Sequence, residues 1–257
     1  MISYIIVIPS YKRYKTLTQK TLSVLETHNI LPKIIYVFVA NENEKKLYID
    51  ILDRKYHKNI IIGKVGLRDQ RNFIQQYFPI GTNIVEMDDD IKEIYELSHV
   101  SLTNKYNKKM KPISDLDTFI QNAFQSCTNA KLNLWGVYPI DNAYFMNNNV
   151  TTDLRLIVGP FWGMINRHDN DLILELNEKE DVERTIKYFV KDGGVMRFNN
   201  VSIETTYYKT PGGMQSNGVD RKAEALKSAN YLVKKYPKLV TMNMNKKSGM
   251  PDVRLLR

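Results

Sequence analysis

Three adjacent carboxylates, those of Asp88, Asp89 and Asp90, follow a short apolar run in the sequence. Like charges repel one another, so a triplet of this kind after a buried strand indicates a cation that the carboxylates share. Oxygen ligands suit a hard divalent ion such as Mg²⁺ or Mn²⁺, which leaves coordination positions open for phosphate oxygens. The alternative is an acidic N-cap for a helix over residues 91–97, because aspartate stabilises a helix N-terminus.

Two segments that precede the triplet carry side chains suited to a base and to phosphate groups. In the first, residues 9–13, Tyr11 could stack on a base and Arg13 could pair with a phosphate. In the second, Gly66 leads into a predicted helix whose N-terminus favours an anion, and Arg68 would add a bidentate positive charge. Taken alone, each segment is also explained by a solvated loop or an ordinary helix start.

A later pair of carboxylates, those of Glu180 and Asp181, stands at the start of a helix predicted over residues 181–191. A carboxylate that points from the first turn into a cleft could accept the proton of an acceptor hydroxyl group. Acidic residues are common in the first turn of any helix, so by itself this segment predicts only a helix start.

The elements that must position these residues alternate regularly in the first part of the chain. Apolar, β-branched runs predict strands at residues 4–9, 33–40, 60–62 and 84–87, with helices predicted between them at residues 16–28, 42–56 and 68–77. This alternation predicts a mostly parallel sheet with helices on both faces. Ligands of such sheets bind beyond the carboxyl ends of the strands, where the loop at residues 9–13 and the acidic triplet would both lie.

The second part of the chain has a less regular pattern. Strands are predicted at residues 134–140, 143–146, 154–166, 172–176, 195–198 and 202–208, and helices at residues 115–130, 181–191 and 221–236. Residues 211–218 are rich in glycine and predict an irregular loop. No linker-like composition separates the two parts, so we predict one α/β domain with lobes at residues 1–97 and 98–257.

Composition narrows the class of protein and of partner. The chain has 257 residues, of which 43% are hydrophobic, and its net charge is +9. It contains no apolar run of about 18 residues that could span a membrane. The positive charge indicates a polyanionic partner such as nucleic acid, an anionic membrane surface or a phosphorylated substrate.

The cysteine and the histidines add two expectations. The single cysteine, Cys127, and the absence of a basic leader at the start of the sequence predict a reducing, cytoplasmic location. A metal site built on cysteine and histidine spacing is not expected, because the histidines are scattered at His28, His57, His99 and His168.

The order of the motifs resembles that of GT-A glycosyltransferases. These motifs are PSYKR at residues 9–13, GLRDQRN at residues 66–72, the aspartate triplet, and the late ED at the start of a helix. The later stretches EDVERTIKYF, GGVMRF and YYKTPGGMQ, which begin at Glu180, Gly193 and Tyr207, resemble the TET/JBP-associated glycosyltransferases of viruses, phages and some eukaryotic proteins. The resemblance covers nearly the whole chain. It implies a Rossmann-like GT-A fold with a nucleotide-binding first lobe and a mixed acceptor lobe.

The same resemblance implies a UDP-hexose donor and a divalent metal, Mn²⁺ or Mg²⁺. Asp88 and Asp90 would bind the metal, and Asp181 would be the general base, with Glu180 as the fallback. Glycines let a loop close over a donor and reopen, which is the role implied for the glycine-rich segment. The residues that the resemblance assigns to the donor are Pro9, Tyr11, Arg13, Arg68, Asp88, Asp89, Gly212, Gly213 and Gln215.

The resemblance also implies an acceptor, because the family is linked to oxidised pyrimidines. The expected reaction is inverting transfer of a hexose to 5-hydroxymethylpyrimidine in DNA. Such a base would have to be flipped out and held by an aromatic side chain, for which the candidates are Trp135, Trp162 and Tyr138, although aromatic residues are more often part of the core. The lysines that could contact DNA phosphates are Lys12, Lys105, Lys108, Lys109 and Lys111.

Three alternatives remain open at the level of the sequence. The acceptor could be a protein, a glycan or a lipid, or the chain could bind nucleic acid or a partner without catalysis. A nucleotidyltransferase would also use paired carboxylates, but it should carry a glycine-rich phosphate loop, and residues 9–15 contain no glycine. His168 could face the acceptor, although an ordinary surface histidine is the simpler reading.

Overall fold

A mixed β-sheet forms the centre of the protein. The computed structural model describes residues 2–99, 108–205, 213, 220–243 and 249–256. Within these residues the sheet has the strand order β3-β2-β1-β4-β9-β7-β10-β5-β6, and β8 pairs with β10 at its side. The strands are β1 (Ile5–Pro9), β2 (Ile35–Val39), β3 (Ile60–Ile62), β4 (Asn83–Met87), β5 (Ile91–His99), β6 (Lys109–Pro112), β7 (Leu134–Tyr138), β8 (Val150–Thr151), β9 (Phe161–Ile165) and β10 (Met196–Thr205).

The strand directions divide the sheet into a parallel part and a mixed part. β3, β2, β1 and β4 run parallel to one another, as the alternating pattern predicts. β9 is antiparallel to both of its neighbours, β4 and β7, while β10 is parallel to β7 and antiparallel to β5. The carboxyl ends of β1 and β4 are therefore side by side, with Val7 paired to Glu86.

Helices cover both faces of the sheet. They are α1 (Tyr14–Leu17) and α2 (Ser23–Thr27), joined by the π-helical turn Thr18–Leu22, then α3 (Glu42–Ile51), α4 (Leu67–Tyr77), α5 (Leu116–Ala130), α6 (Glu180–Asp192) and α7 (Arg221–Lys235). Polar side chains cap the free backbone N–H groups at several of their starts. The carboxylate or amide oxygens of Asn41, Asp115 and Asp220 accept these bonds at α3, α5 and α7.

The core is built from alternating strand residues. Ile6 and Ile8 belong to the cluster beneath α1, α2 and α5, whereas Val7 belongs to the cluster on the opposite face with Trp162. This is the period of two that places successive side chains on opposite faces of a strand. A third cluster, which includes Val182 and Leu232, packs α7 and an antiparallel pair of strands, β11 (Val240–Asn243) and β12 (Asp252–Leu255), against α6.

The predicted strands and helices of the first part are confirmed with small changes at their ends. The helix predicted over residues 42–56 ends at Ile51, because Leu52 is extended, and a 3₁₀-helix follows at Arg54–Asn59. The alternative reading of residues 91–97 as a helix is wrong: this segment is β5, which pairs with β10 and β6. The acidic triplet is therefore not the N-cap of a helix.

Several predicted strands of the second part are also wrong. Residues 143–146 and 172–176 contain no strand, and only the end of the segment 154–166 forms one, β9. The two strands predicted at residues 195–198 and 202–208 form, as far as Thr205, a single strand, β10, with an irregularity between Phe198 and Ser202. Residues 206–208 lie outside the residues that the structure describes. Leu154, Leu172 and Leu174 are buried without pairing in the sheet. These residues are apolar because they are buried, and an apolar run in a sequence does not show whether the buried segment is a strand.

No helix in the part of the chain that the structure describes is long and apolar enough to cross a membrane.

Candidate active site

A cleft of about 420 Å³ opens at the carboxyl ends of the parallel strands. The loop after β1, the start of α4, the acidic triplet and the start of α6 all line it, so tertiary structure brings together the four segments that the sequence singles out. Its polar and charged lining includes Ser10, Tyr11, Arg13, Arg71, Asp88, Asp89, Asp90, Glu180 and Asp181.

The middle carboxylate of the triplet, that of Asp89, is held by the protein itself. Its residue is 4% exposed, and it accepts a hydrogen bond of 2.5 Å from the Ser10 hydroxyl. Arg13 Nη1 lies 3.2 Å from Asp89 Oδ1 and 3.6 Å from Asp90 Oδ2. Burial raises the pKa of Asp89 to about 7, although Arg13 and Ser10 oppose the shift. Asp89 therefore ties the triplet to the loop after β1.

Asp88 and Asp90 are the two carboxylates of the triplet that could hold a cation beside their arginine neighbours, Arg71 at 3.3 Å and Arg13 at 3.6 Å. The Asp88 side chain is 32% exposed at the cleft. Burial, followed by the charge of Asp88, raises the pKa of the Asp90 carboxyl. A divalent ion between the two would relieve this repulsion, and two carboxylates with open positions are the donor set that Mg²⁺ or Mn²⁺ takes when it also binds phosphate. Within the described residues, no group of three or more Asp, Glu, His or Cys side chains is arranged so that it could hold a metal ion.

A buried arginine, Arg71 of α4, connects the triplet to α6. Its Nη1 lies 2.5 Å from Glu180 Oε1, and its Nη2 lies 3.3 Å from Asp88 Oδ1. Nε lies 2.6 Å from Glu86 Oε1, an ion pair in which the N–H is poorly aligned for a hydrogen bond. Nη2 also donates to the carbonyl of Gly159 at 3.1 Å. One side chain thus compensates three carboxylates, of which those of Asp88 and Glu180 line the cleft.

The two acidic residues at the start of α6 have different environments. Glu180 is buried against Arg71, and burial, together with the neighbouring charge of Asp181, raises its pKa to about 7 in spite of Arg71. Asp181 is partly exposed and lines the cleft, and its Oδ1 accepts a bond from the backbone N–H of Val182 at 2.8 Å. Of the two, Asp181 is the more exposed to the cleft.

A second buried arginine, Arg184, packs on the ring of Trp162, as Arg71 does at a longer distance. Its guanidinium carbon is 3.7 Å from the centre of the Trp162 ring, and it donates to the carbonyl of Ile157 at 3.2 Å. Burial, helped by the charge of Arg71, lowers the pKa of Arg184 to about 10.

The candidate role of Trp162 and Trp135 in holding a flipped base is wrong, because both side chains are fully buried in the core. Tyr138 lies under the guanidinium of Arg197 at 5.2 Å.

Several predicted contacts are placed elsewhere. Arg68 does not line the cleft; it pairs with Asp69 at 2.7 Å and donates to the carbonyl of Glu175. The residues of α4 that line the cleft are Leu67, Gln70 and Arg71. His168 bonds the carbonyl of Phe78 at 2.6 Å and is not a lining residue.

The remaining donor contacts lie partly outside the described residues. Pro9 and Gly213 line the cleft, and the Gly213 N–H donates to the carbonyl of Tyr11 at 3.0 Å. Gly212 and Gln215 lie outside the residues that the structure describes.

The lysines predicted to contact DNA phosphates lie in different environments. Lys108 Nζ donates to the carbonyl of Met146 at 2.5 Å, and Lys111 pairs with Glu96 at 3.2 Å. Lys109 is exposed, and the backbone N–H of Lys12 donates to Glu44. Lys105 lies outside the described residues.

Sequence reasoning missed the residues that support the site. The sequence motifs give no role to Ser10, Arg71, Glu86 and Arg184, although the sequence does carry a signal for one of them. Glu86 is a charged residue inside the apolar run of β4, a position that requires a buried partner.

The fold of this protein resembles that of solved structures, although its sequence matches no known family. No protein-family model and no curated protein matches the sequence. Among solved structures, residues 1–349 of Staphylococcus aureus TarS in complex with UDP-GlcNAc align with a TM-score of 0.57 at 13% identity, covering 90% of this chain and 67% of that one. The fold is GT-A.

Two further TarS crystal structures agree with this alignment. A crystal structure of TarS residues 1–349 aligns with a TM-score of 0.51 at 14% identity, and the complex of this fragment with UDP aligns with a TM-score of 0.52 at 14% identity. In each, the aligned region is 79% of this chain and 59% of the TarS fragment, so the chain spans less than two thirds of that fragment.

Proposed function

We propose that this protein is a metal-dependent, inverting glycosyltransferase that moves a hexose from a UDP-sugar to a hydroxyl group. The observation that carries the proposal is the meeting of Asp88, Asp90 and Asp181 in one cleft at the carboxyl edge of a GT-A sheet. Support for the donor comes from fold neighbours whose crystal structures contain UDP-GlcNAc and UDP. The proposed cofactor is Mn²⁺ or Mg²⁺, held by Asp88 and Asp90.

The proposed reaction is a single displacement. Asp181 accepts the proton of the acceptor hydroxyl, and the oxygen attacks the anomeric carbon of the sugar as the bond to UDP breaks. A divalent ion bound by Asp88 and Asp90 would supply positive charge to the departing diphosphate. Attack from the side opposite to UDP inverts the configuration at that carbon.

For the acceptor, we propose 5-hydroxymethylpyrimidine in DNA. Two features support it: the resemblance of the EDVERTIKYF, GGVMRF and YYKTPGGMQ stretches to the TET/JBP-associated family, and the net charge of +9. Membership of that family, a viral or phage origin and action in the cytoplasm of a host cell are parts of the same proposal. Burial of Trp135 and Trp162 removes two aromatic residues from the list of possible base contacts.

The test is the release of UDP from a panel of UDP-sugars with Mn²⁺, in the presence of hydroxymethylated or unmodified DNA. We expect release that depends on hydroxymethylated DNA, stops with a chelator and returns when Mn²⁺ is added. Asp90→Asn should lose this activity, whereas Asp50→Asn, which removes an exposed charge from α3, should retain it. Release that is indifferent to DNA would move the acceptor to a protein, glycan or lipid. No release from any donor would contradict catalysis.

A further inference from the structure

A buried glutamine, Gln70 of α4, lines the active-site cleft but has no part in the mechanism proposed above. Gln70 is 4% exposed, and the backbone N–H of Lys64 donates a hydrogen bond to its side-chain oxygen, Oε1. Because a backbone N–H can only donate, this contact fixes the orientation of the amide group. The oxygen faces Lys64, and the NH₂ group is the end that remains for another partner.

The NH₂ group of Gln70 is placed for a ligand. Among the residues that the structure describes, none accepts a hydrogen bond from Nε2 of Gln70. This nitrogen is also not sealed from solvent, unlike the unpaired side-chain nitrogens of Gln75 and Arg184. A donor that is nine-tenths buried, lacks a protein partner and reaches a cleft has a strong preference for an acceptor in that cleft, because an unpaired polar group costs free energy.

Gly63, which follows β3, makes room for this side chain. A Cβ atom at Gly63 would collide with Oε1 of Gln70 and would lie 2.8 Å from Nε2. The backbone of Gly63 is not in the left-handed region, so the glycine is needed here for space and not for its conformation. Its N–H donates to the carbonyl of Val39 at 2.8 Å. The carboxamide of Gln70 is therefore held between Lys64 and a fixed stretch of backbone.

Gln70 lies at the end of the cleft that is furthest from the acidic triplet. The strand order β3-β2-β1-β4 separates the carboxyl end of β3 from that of β4 by three strand spacings, or about 14 Å. With the diphosphate near Asp88 and Asp90, as proposed above, the nucleoside extends across the ends of β1 and β2 towards Gln70. The base of the donor would thus lie at this end of the cleft.

The lining around Gln70 suits a planar, uncharged ring. Tyr11 and Ala40, which follow β1 and β2, line the same cleft. Tyr11 offers an aromatic face, and the small side chain of Ala40 leaves space beside it. Lys64 also lines the cleft, but its ammonium group packs on α4, where Nζ lies 5.8 Å from the centre of the Phe73 ring. An apolar and aromatic lining with one fixed polar group is typical of a specific ligand pocket.

The far edge of a pyrimidine carries the group that distinguishes uracil from cytosine. C4 is opposite N1, the atom that bears the ribose, so the substituent of C4 is the one furthest from the diphosphate. It is an oxygen that accepts hydrogen bonds in uracil and an amino group that donates them in cytosine. We infer that the NH₂ group of Gln70 donates to the oxygen at C4 of uracil, and that Gln70 thereby selects UDP-sugars over CDP-sugars. The inference rests on the proposed function for the position of the diphosphate.

The experiment compares Gln70→Glu with Gln76→Glu, the same change at an exposed position of α4 outside the cleft. Calorimetry with UDP and with CDP, in the presence of Mn²⁺, measures binding without an acceptor. A glutamate at position 70 presents an oxygen in place of the NH₂ group, so the preference for UDP over CDP should fall about 100-fold. Gln76→Glu should keep the preference of the unchanged protein. An unaltered preference in Gln70→Glu would overturn the inference.

Gly63→Ala tests the same contact without a change at residue 70. The added methyl group should displace the carboxamide, which is the flexible end of a side chain, and leave the fold intact, as urea denaturation would show. We expect Gly63→Ala and Gln70→Leu each to raise the Kd for UDP about tenfold. The double variant should bind UDP no more weakly than either single variant, because both remove one hydrogen bond. Additive losses would contradict the contact.

Sugar transfer, measured separately, distinguishes this inference from the proposed function. If UDP binding depends on Gln70 as described but no sugar reaches any acceptor, the base contact stands and the glycosyltransferase proposal fails. If sugar is transferred and Gln70→Glu uses UDP-sugars and CDP-sugars in the same ratio as the unchanged protein, the transfer stands and the base contact is overturned. If neither nucleotide binds the unchanged protein, both are overturned.

Discussion

Arg71 and Glu180 form a buried ion pair in which Nη1 and Oε1 are 2.5 Å apart, although 109 positions separate the residues in the chain. The same guanidinium contacts Asp88 of the acidic triplet. The start of α6 is therefore tied to the triplet, and the proposed base at residue 181 acquires a defined position relative to the proposed metal ligands.

Replacement of Arg71 by lysine should impair both stability and activity. A lysine ammonium cannot contact Glu86, Asp88 and Glu180 together, so buried carboxylates would lose their compensation. We expect the free energy of unfolding to fall by about 3 kcal/mol and kcat to fall about 100-fold, measured by urea denaturation and UDP release. Arg68→Lys, at a partly exposed pair with Asp69, should change stability by less than about 1 kcal/mol. Equal effects of the two changes would contradict this role of Arg71.

Asp181→Asn should separate catalysis from donor binding. The amide keeps the shape of the side chain but cannot accept a proton, so kcat should fall by about 10²- to 10⁴-fold. The Kd for UDP, measured by calorimetry, should remain unchanged because Asp181 is assigned to the acceptor. Glu180→Gln should instead lower the free energy of unfolding, because Glu180 is paired with Arg71. A kcat for Asp181→Asn within a factor of three of the unchanged protein would reject Asp181 as the base.

Glu175→Gln should reduce stability near neutral pH but not in acid. Bonds from Lys235, Tyr231 and Lys187 lower the pKa of Glu175 to about 2. Because the pKa is depressed in the folded state, this stabilisation is present above the ordinary glutamate pKa and is lost as the pH falls towards 2. The network is at the surface, so we expect a difference of about 1 kcal/mol in the free energy of unfolding at pH 7 that narrows by pH 3. Urea titrations at a series of pH values measure it, and a difference that is constant with pH would refute the assignment.

Gly163→Ala should destabilise the core. A Cβ atom at this position of β9 would lie 2.3 Å from Nε1 of Trp135, which is fully buried. Overpacking of this kind costs about 1–3 kcal/mol, which thermal or urea unfolding would detect. Trp135→Phe removes the clashing part of the ring, so the double variant should lose less stability than the sum of the two single changes. Strict additivity would mean that the contact between the two residues is not the cause.

Much of the first part of the chain, from β1 to β4, could be predicted because its signals are local. The β1 to β4 strands are short apolar runs separated by amphipathic helices, a combination with few alternative arrangements. The error at β5 has a physical explanation. Residues 91–97 carry mixed polar and apolar side chains, and their strand conformation depends on pairing with β10 more than 100 positions later. Strand propensity is largely determined by such neighbours, which a local pattern does not contain.

The candidate site shows the same division. The motifs at residues 9–13, 88–90 and 180–181 could be chosen from the sequence, because they stand at predicted strand ends or helix starts in the order that resembles GT-A glycosyltransferases. The choice of Arg71 rather than Arg68 for the cleft could not be made, since both lie in the first turns of α4 and only the packing of that helix decides which one is buried.

The sequence by itself determined the kind of fold and the chemical groups available to it: an alternating α/β pattern, an acidic triplet and a later acidic pair. Tertiary structure alone decided which of these groups face the cleft. It pairs Asp89 with Arg13 and Glu180 with Arg71, and it brings Asp88, Asp90 and Asp181 into the same cleft. These pairings could not be derived from the motifs, because the desolvation of a charge depends on every element packed around it and not only on its neighbours in sequence.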